Sequence, residues 1–419
     1  MGPTAVVTTH KPAPRHPRMF AGVAGRAARA LTTAASALAL AVGALALAVG
    51  ALALVPAPAH AADPITNQEY FSYYHLDAAR QKGYTGKGVT IALIDGPVDT
   101  NVAELTGANI TDKSRCTIDA SPAGVRHGTD MATILVSPYT GVAPDATLLT
   151  YQLSNASSRS AGSCALGGEK QDTFGKLINQ AIEDGAQIIS VSQGASDQSD
   201  EVKWAIANAV SRGVIIVASA GNNSSDDNST HLSRWSGVVG VSAITSDGTF
   251  APYSSWGNGV VTAAIGGPFR TVDADTGAPA ESDGTSNSTA LVAGMLALAR
   301  QKWPDATPNQ ILQLLVHTGL NPNHDWNQKT GYGAAALGSL VNEDPSQYPD
   351  ENPILDKPGG SSPTAKEIQD FTDGTITPNL AMNVLPSSYV YRGTNDEIAI
   401  VPTEGLTIHL GTSPAYHRK

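Results

Sequence analysis

From Gly86 onward the chain alternates short apolar runs with amphipathic segments, and this alternation limits the fold more than any single residue does. VTIALID (89–95), TLLTYQL (147–153), IISVSQG (188–194), VIIVASAG (214–221) and VVGVSAIT (238–245) read as buried strands. Between them, DTFGKLINQAIEDG (172–185) and SDEVKWAIANAVSRG (199–213) carry apolar residues at helical spacing and end at glycine. TPNQILQLLVHTG (307–319) adds Thr307 as a cap and Pro308 in the first turn. The pattern predicts an α/β fold, a parallel β-sheet flanked by helices on both faces. Functional groups in such folds gather at the carboxyl ends of the strands.

The 419 residues suffice for a sizeable core, and 41% hydrophobic with 15% charged residues is a globular composition. Residues 1–61 carry Lys11, Arg15, Arg18, Arg26 and Arg29 but no acid, then an uncharged apolar run to Val55 and APAHA. This is the pattern of a signal peptide cleaved after Ala61. Because AVGALAL at 41–47 recurs at 48–54, the run is long enough to leave an uncleaved anchor open, and Met19 is an alternative start. Without residues 1–61 the chain has 21 basic and 37 acidic residues, a net charge of −16. That argues against nucleic acid as a partner, and no later segment is apolar enough to span a membrane. The expected location is outside the cell or in its envelope. A short N-terminal extension, 62–85, leads into the main domain, 86–341. Five prolines from Pro345 to Pro363, with GGSSP, mark 342–366 as a linker. YVYRG (389–393), EIAIV (397–401) and LTIHL (406–410) suggest a small β-rich segment over 367–419.

Four residues stand where chemistry is possible. Asp95 ends the strand VTIALID, His127 opens the helix-like HGTDMATIL, Asn222 follows VIIVASAG, and Ser286 lies where ESDGTSNS runs into an apolar helix. Each has an ordinary alternative: a solvated carboxylate, a structural histidine, a turn residue, and with Thr285 a helix cap. Other histidines, His75, His231, His317 and His324 among them, have no such setting. Taken jointly, Asp, His and Ser in that order, with an amide donor before the serine, supply what nucleophilic acyl transfer needs. A hydroxyl attacks, a base takes its proton, a carboxylate fixes the base, and donors receive the oxyanion.

With those residues in place, the sequence resembles the subtilisin-like serine endopeptidases. VTIALIDGPVD, HGTDMATIL, GVAPDATL (141–148), VSQG (191–194), ASAGN (218–222) and GTSNSTALVAG (284–294) match six family motifs in order, across residues 68–341. The resemblance implies that Ser286 is the nucleophile, His127 the general base and then acid, and Asp95 its orienting carboxylate. Asn222 would donate to the oxyanion beside the Ser286 backbone N–H. Extended substrate would pair along Ser192, Gln193 and Gly194, with pocket walls at Ala220 and Gly221. The resemblance implies no cofactor for the chemistry, and no ordered acidic loop marks ligands for the structural calcium common in the family.

The sequence departs from the family in several places. DGPVD replaces Asp followed by Thr or Ser and Gly, Asp130 stands at the usual second histidine of HGTH, and NSTAL replaces MAAPH. Residues 62–85 leave no room for a long folding propeptide, so autoactivation by its removal is not expected. The short extension resembles mycosins, and DGPVD resembles some peptide-maturation subtilases. Two cysteines exclude a disulfide scaffold and a four-cysteine zinc site. In an exported protein, Cys116 and Cys164 are expected to form one bridge near the cleft. Asp226 and Asp227 stand either as selectors of basic substrate side chains or as solvated surface acids. The leading expectation is a secreted endopeptidase acting on polypeptides. The alternatives are a narrow-specificity processing protease and an inactive fold serving as an envelope binding module. Oligomeric state leaves no sequence signal.

Overall fold

The computed structural model describes residues 63–154, 163–165, 172–193, 198–226, 231–273, 275–321, 325–357, 362–376 and 384–392. The expected signal peptide and the strands expected at 397–401 and 406–410 lie outside the described residues.

Seven parallel strands form the central sheet. They are β1 (Thr90–Asp95), β2 (Ile110–Asp112), β3 (Thr147–Gln152), β4 (Ile188–Val191), β5 (Ile215–Ser219), β6 (Val238–Ile244) and β7 (Val260–Ile265). Their order is β2-β3-β1-β4-β5-β6-β7. β1 therefore lies between β3 and β4, the point of an open α/β sheet where a crevice forms beyond the strand ends.

Helices cover both faces. They are α1 (Glu69–Tyr73), α2 (Leu76–Gln81), α3 (Pro122–Val136), α4 (Phe174–Glu183), α5 (Asp200–Ser211), α6 (Thr285–Lys302), α7 (Pro308–His317), α8 (Leu337–Asn342) and α9 (Ala365–Thr372). Side chains of a strand alternate between faces, and the core divides accordingly. Ile91 and Leu93 join Met131, Leu291 and Leu315 of α3, α6 and α7, whereas Ala92 and Ile94 join Ile178 and Ile206 of α4 and α5. Each of the larger side chains, such as Ile91, Leu93 and Ile94, contributes roughly 1.5–3 kcal/mol on burial.

Helix α6 runs through the core, buried at every residue from Asn287 to Ala299. Its small residues permit this: a β-carbon on Gly294 would lie 2.6 Å from the Val142 side chain. A two-stranded antiparallel hairpin, β8 (Phe269–Val272) and β9 (Pro279–Ser282), leads into it.

The N-terminal extension is packed on the domain. Tyr70 is fully buried; its hydroxyl donates to the Thr140 carbonyl at 3.1 Å, and its ring meets Phe269 edge-on at 4.6 Å. The Ile265 N–H donates to the Tyr74 hydroxyl at 3.0 Å.

The expectations for the C-terminal part differ from the structure. Described residues of the expected linker 342–366 are docked, not free. Ile354 is buried and its carbonyl accepts from Gly237 N–H at 3.0 Å, and the Ser362 carbonyl accepts from Ser236 N–H at 3.1 Å. The buried Lys357 Nζ donates to the carbonyls of Ser233 and Gly259 at 2.6 and 2.9 Å. Proline and glycine content misleads here because irregular backbone is satisfied by the carbonyls and N–H groups of the 233–259 region. Where a β-rich segment was expected, 367–372 belongs to helix α9. Thr364 and Glu367 form its capping box, and Phe371 stacks on Trp204 of α5 at 6.3 Å. In the described part of YVYRG, Tyr391 makes no more than an isolated bridge.

Candidate active site

Asp95 closes β1 and is fully buried. Three donors converge on its Oδ1: the Gly96 N–H at 2.6 Å, His127 Nδ1 at 2.7 Å and the Gln193 side-chain amide at 2.8 Å. His127 comes from α3, which Ser121 starts by accepting from Gly124 N–H at 3.2 Å, with Pro122 in the first turn. The helix approaches the loop after β1 backbone to backbone. A β-carbon on Gly96 would lie 2.4 Å from the Gly124 carbonyl oxygen, and one on Gly128 would lie 2.5 Å from the Gly96 oxygen. Glycine at these positions allows the His127 ring to reach Asp95.

With an ionised carboxylate accepting at Nδ1, the neutral imidazole carries its proton there and leaves Nε2 as acceptor. The His127 side chain is 34% exposed. Burial lowers the imidazole pKa, but the charge and hydrogen bond of Asp95, aided by Asp130 and opposed by Arg126, carry it above its usual value. Asp130 itself is pushed up to about 6 by burial, against the pull of the Thr271 hydroxyl that donates to it at 2.5 Å. It faces a cavity of about 410 Å³ beside α3, bounded by Arg126, Arg270 and Val272; neither His127 nor Ser286 lines that cavity.

Ser286 is the second residue of α6. The N-cap, Gly284, has φ +153° and no side-chain cap. The Ser286 hydroxyl does not cap the helix either; it donates to the Ser192 carbonyl at 2.9 Å, while the Ser192 hydroxyl donates to the Ser286 carbonyl at 3.0 Å. The Ser286 N–H is a first-turn group without an intrahelical acceptor, at the positive end of the helix. Gln193, bonded to Asp95, directly follows Ser192, bonded to Ser286. These two adjacent residues after β4 thus connect the Asp95–His127 pair to the start of α6.

Asn222 is placed by its amide oxygen, which accepts from the Thr285 N–H at 2.8 Å and the Thr285 hydroxyl at 2.9 Å. Its Nδ2 is turned toward Gly284, where an added β-carbon would come within 3.1 Å. Gly221 has φ +104°, and His231, for which the sequence offered no setting, is packed against it. Ala220 is buried and its N–H donates to the Val241 carbonyl at 2.8 Å. Ser192 and Gln193 are buried, while Gly194 and Asp227 lie outside the described residues. Asp226 is exposed. Cys116 and Cys164 are joined by a disulfide. Among the described residues, no group of three or more His, Cys, Asp or Glu side chains could hold a metal ion, and no helix is long and apolar enough to cross a membrane.

Sequence reasoning did not find the Gln193–Asp95 bond, which joins residues 98 positions apart. The available signal was a polar residue directly after the apolar strand IISV.

A parallel sheet with a buried aspartate paired to a partly exposed histidine at its carboxyl edge, and a serine at the start of a core helix, is the framework of an α/β hydrolase. Residues 86–333 match the Subtilase family model, and the chain belongs to that family. Fervidolysin of Fervidobacterium pennivorans is 30% identical over 289 residues, which cover 61% of this chain and 41% of fervidolysin. Among solved structures, MycP1 of Mycobacterium smegmatis superposes with a TM-score of 0.53 at 24% identity, covering 71% of this chain and 88% of that one. The prenylagaramide maturation protease PagA gives 0.51 at 24%, covering 64% and 96%. These two establish likeness of fold.

Proposed function

We propose that the protein is an exported serine endopeptidase that hydrolyses peptide bonds through an acyl-enzyme. The observation that carries this reading is the Asp95–His127 hydrogen bond at 2.7 Å, linked through Gln193 and Ser192 to Ser286. On substrate binding, the Ser286 hydroxyl turns from the Ser192 carbonyl toward His127 Nε2. His127 takes its proton as Oγ attacks the scissile carbonyl carbon, and Asp95 stabilises the imidazolium. The oxyanion accepts from the Ser286 N–H and the Asn222 Nδ2. Collapse breaks the C–N bond, His127 protonates the departing amine, and water then repeats the sequence to release the acid. Extended substrate pairs with the backbone at 192–194, so main-chain bonds provide sequence-independent binding. Residues 1–61 and the disulfide support export.

Incubating the purified protein with an unfolded polypeptide and sequencing the products tests this. Internal cleavage that disappears in Ser286→Ala supports it; equal cleavage by both proteins rejects Ser286 as the nucleophile.

A further inference from the structure

Asp95 depends on donors that reach Oδ1, because its Oδ2 accepts no hydrogen bond from the described residues. The nearest source of a side-chain donor would be the next residue, but position 96 cannot carry one. A β-carbon there would meet the Gly124 carbonyl oxygen at 2.4 Å and its carbon at 3.1 Å, both backbone atoms of the helix that holds His127. Any side chain at 96 would push α3, and His127 with it, away from Asp95. The Gly96 N–H remains as one donor and His127 as the second. The third comes from across the sheet, from Gln193 just beyond β4, buried to 9% exposure and with its Nε2 2.8 Å from the carboxylate.

We propose that Gln193 is a positioning residue: its side-chain amide fixes the rotamer of the Asp95 carboxylate and tempers its charge, in place of the side-chain donor that position 96 cannot carry. The proposal rests on the peptidase reading above but adds a role for a side chain whose backbone alone was assigned to substrate. Gln193 Nε2 also approaches His127 Nδ1 to 3.5 Å. A donor so near the ring disfavours imidazolium, as does its partial neutralisation of Asp95. The charged groups facing His127 are Asp95 from β1 and Asp130 and Arg126 from its own helix, so Gln193 is the uncharged member of this set.

Two measurements on Gln193→Met and Gln193→Glu test the proposal. Met retains the bulk without the donor, and Glu retains the shape while adding negative charge, so a folded variant is available if one fails. In isotopically labelled protein, the His127 ring is titrated by NMR, its signal identified by its loss in His127→Gln. The His127 pKa is expected to rise by roughly half to one unit in Gln193→Met, the scale of one hydrogen bond, and further in Gln193→Glu. On a peptide substrate, kcat at the pH plateau is expected to fall about tenfold, with KM little changed. An unchanged His127 titration in both variants overturns the proposal, as does a change confined to KM, which would make Gln193 a wall of the substrate cleft. The titration needs no turnover, so it decides the role of Gln193 even if the parent protein cleaves nothing, a result that would count against the peptidase reading alone.

Discussion

Gly96 and Gly124 meet backbone to backbone, so closely that a β-carbon on Gly96 would sit 2.4 Å from the Gly124 carbonyl oxygen. The contact sets the spacing between the strand that ends in Asp95 and the helix that carries His127. Gly96→Ala is expected to cost about 1–3 kcal/mol of stability through overpacking. Activity is expected to fall further, about 10²-fold, because the displaced helix lengthens the 2.7 Å Asp95–His127 bond. Denaturant melts and kcat/KM measured on the same preparation separate the two effects; an active, fully stable Gly96→Ala would show that the helix has room to move.

The pH profile follows from the groups around His127. A general base must be neutral, and its pKa lies above the ordinary 6.5, so the acid limb of kcat/KM is expected above that pH. Asp130→Asn removes one of the charges that raise it, and the limb should move to lower pH. Asp130 titrates near 6 in the folded protein against 3.8 ordinarily, so folding favours its neutral form. That contribution is fully present below about pH 4 and is lost as pH rises through 6. Asp130→Asn should therefore be more stable than the parent above pH 6, with the gap closing toward pH 4 in a series of thermal melts.

Asn222 provides a separate check on the oxyanion assignment. Losing one such donor lowers turnover about 10²–10³-fold in a subtilisin, and Asn222→Ala is expected to do the same here with little change in KM. Because its amide oxygen also accepts two bonds from Thr285, Asn222→Asp retains an acceptor while losing the donor. Both variants should be slow; a fast Asn222→Asp would place the oxyanion donor elsewhere.

The disulfide closes a loop with a sequence separation of 48. Chain entropy assigns such a closure about 4 kcal/mol. The double variant Cys116→Ser, Cys164→Ser is expected to unfold at lower denaturant by about that much, while its kcat at 25 °C stays near the parent value. Equal midpoints for the two proteins would mean that the loops are held by other contacts.

The sheet was largely legible because five of its strands are apolar runs bounded by turn residues. VTIALID, for example, became Thr90–Asp95. β7, VVTAAI, is not legible as a strand because threonine and alanine dilute its pattern, and β2 is only three residues long. Helix α9 is hidden in the sequence by the surrounding prolines, although its T-x-x-E cap is visible at Thr364 and Glu367. The residues proposed for catalysis could be read from ordered motifs, but the contacts that hold them could not. Gln193 reaches Asp95 only through the parallel register that places β4 beside β1, and Ser192 reaches Ser286 only because α6 packs against β4.

The central claim is that Ser286 is an activated nucleophile. The direct measurement is covalent labelling of the purified protein by a fluorophosphonate probe, with the modified residue located by mass spectrometry and Ser286→Ala as control. The account predicts a single adduct on Ser286, formed faster as pH rises through the His127 pKa and absent from the control. A folded protein that takes up no probe, or carries it on another residue, would contradict the account.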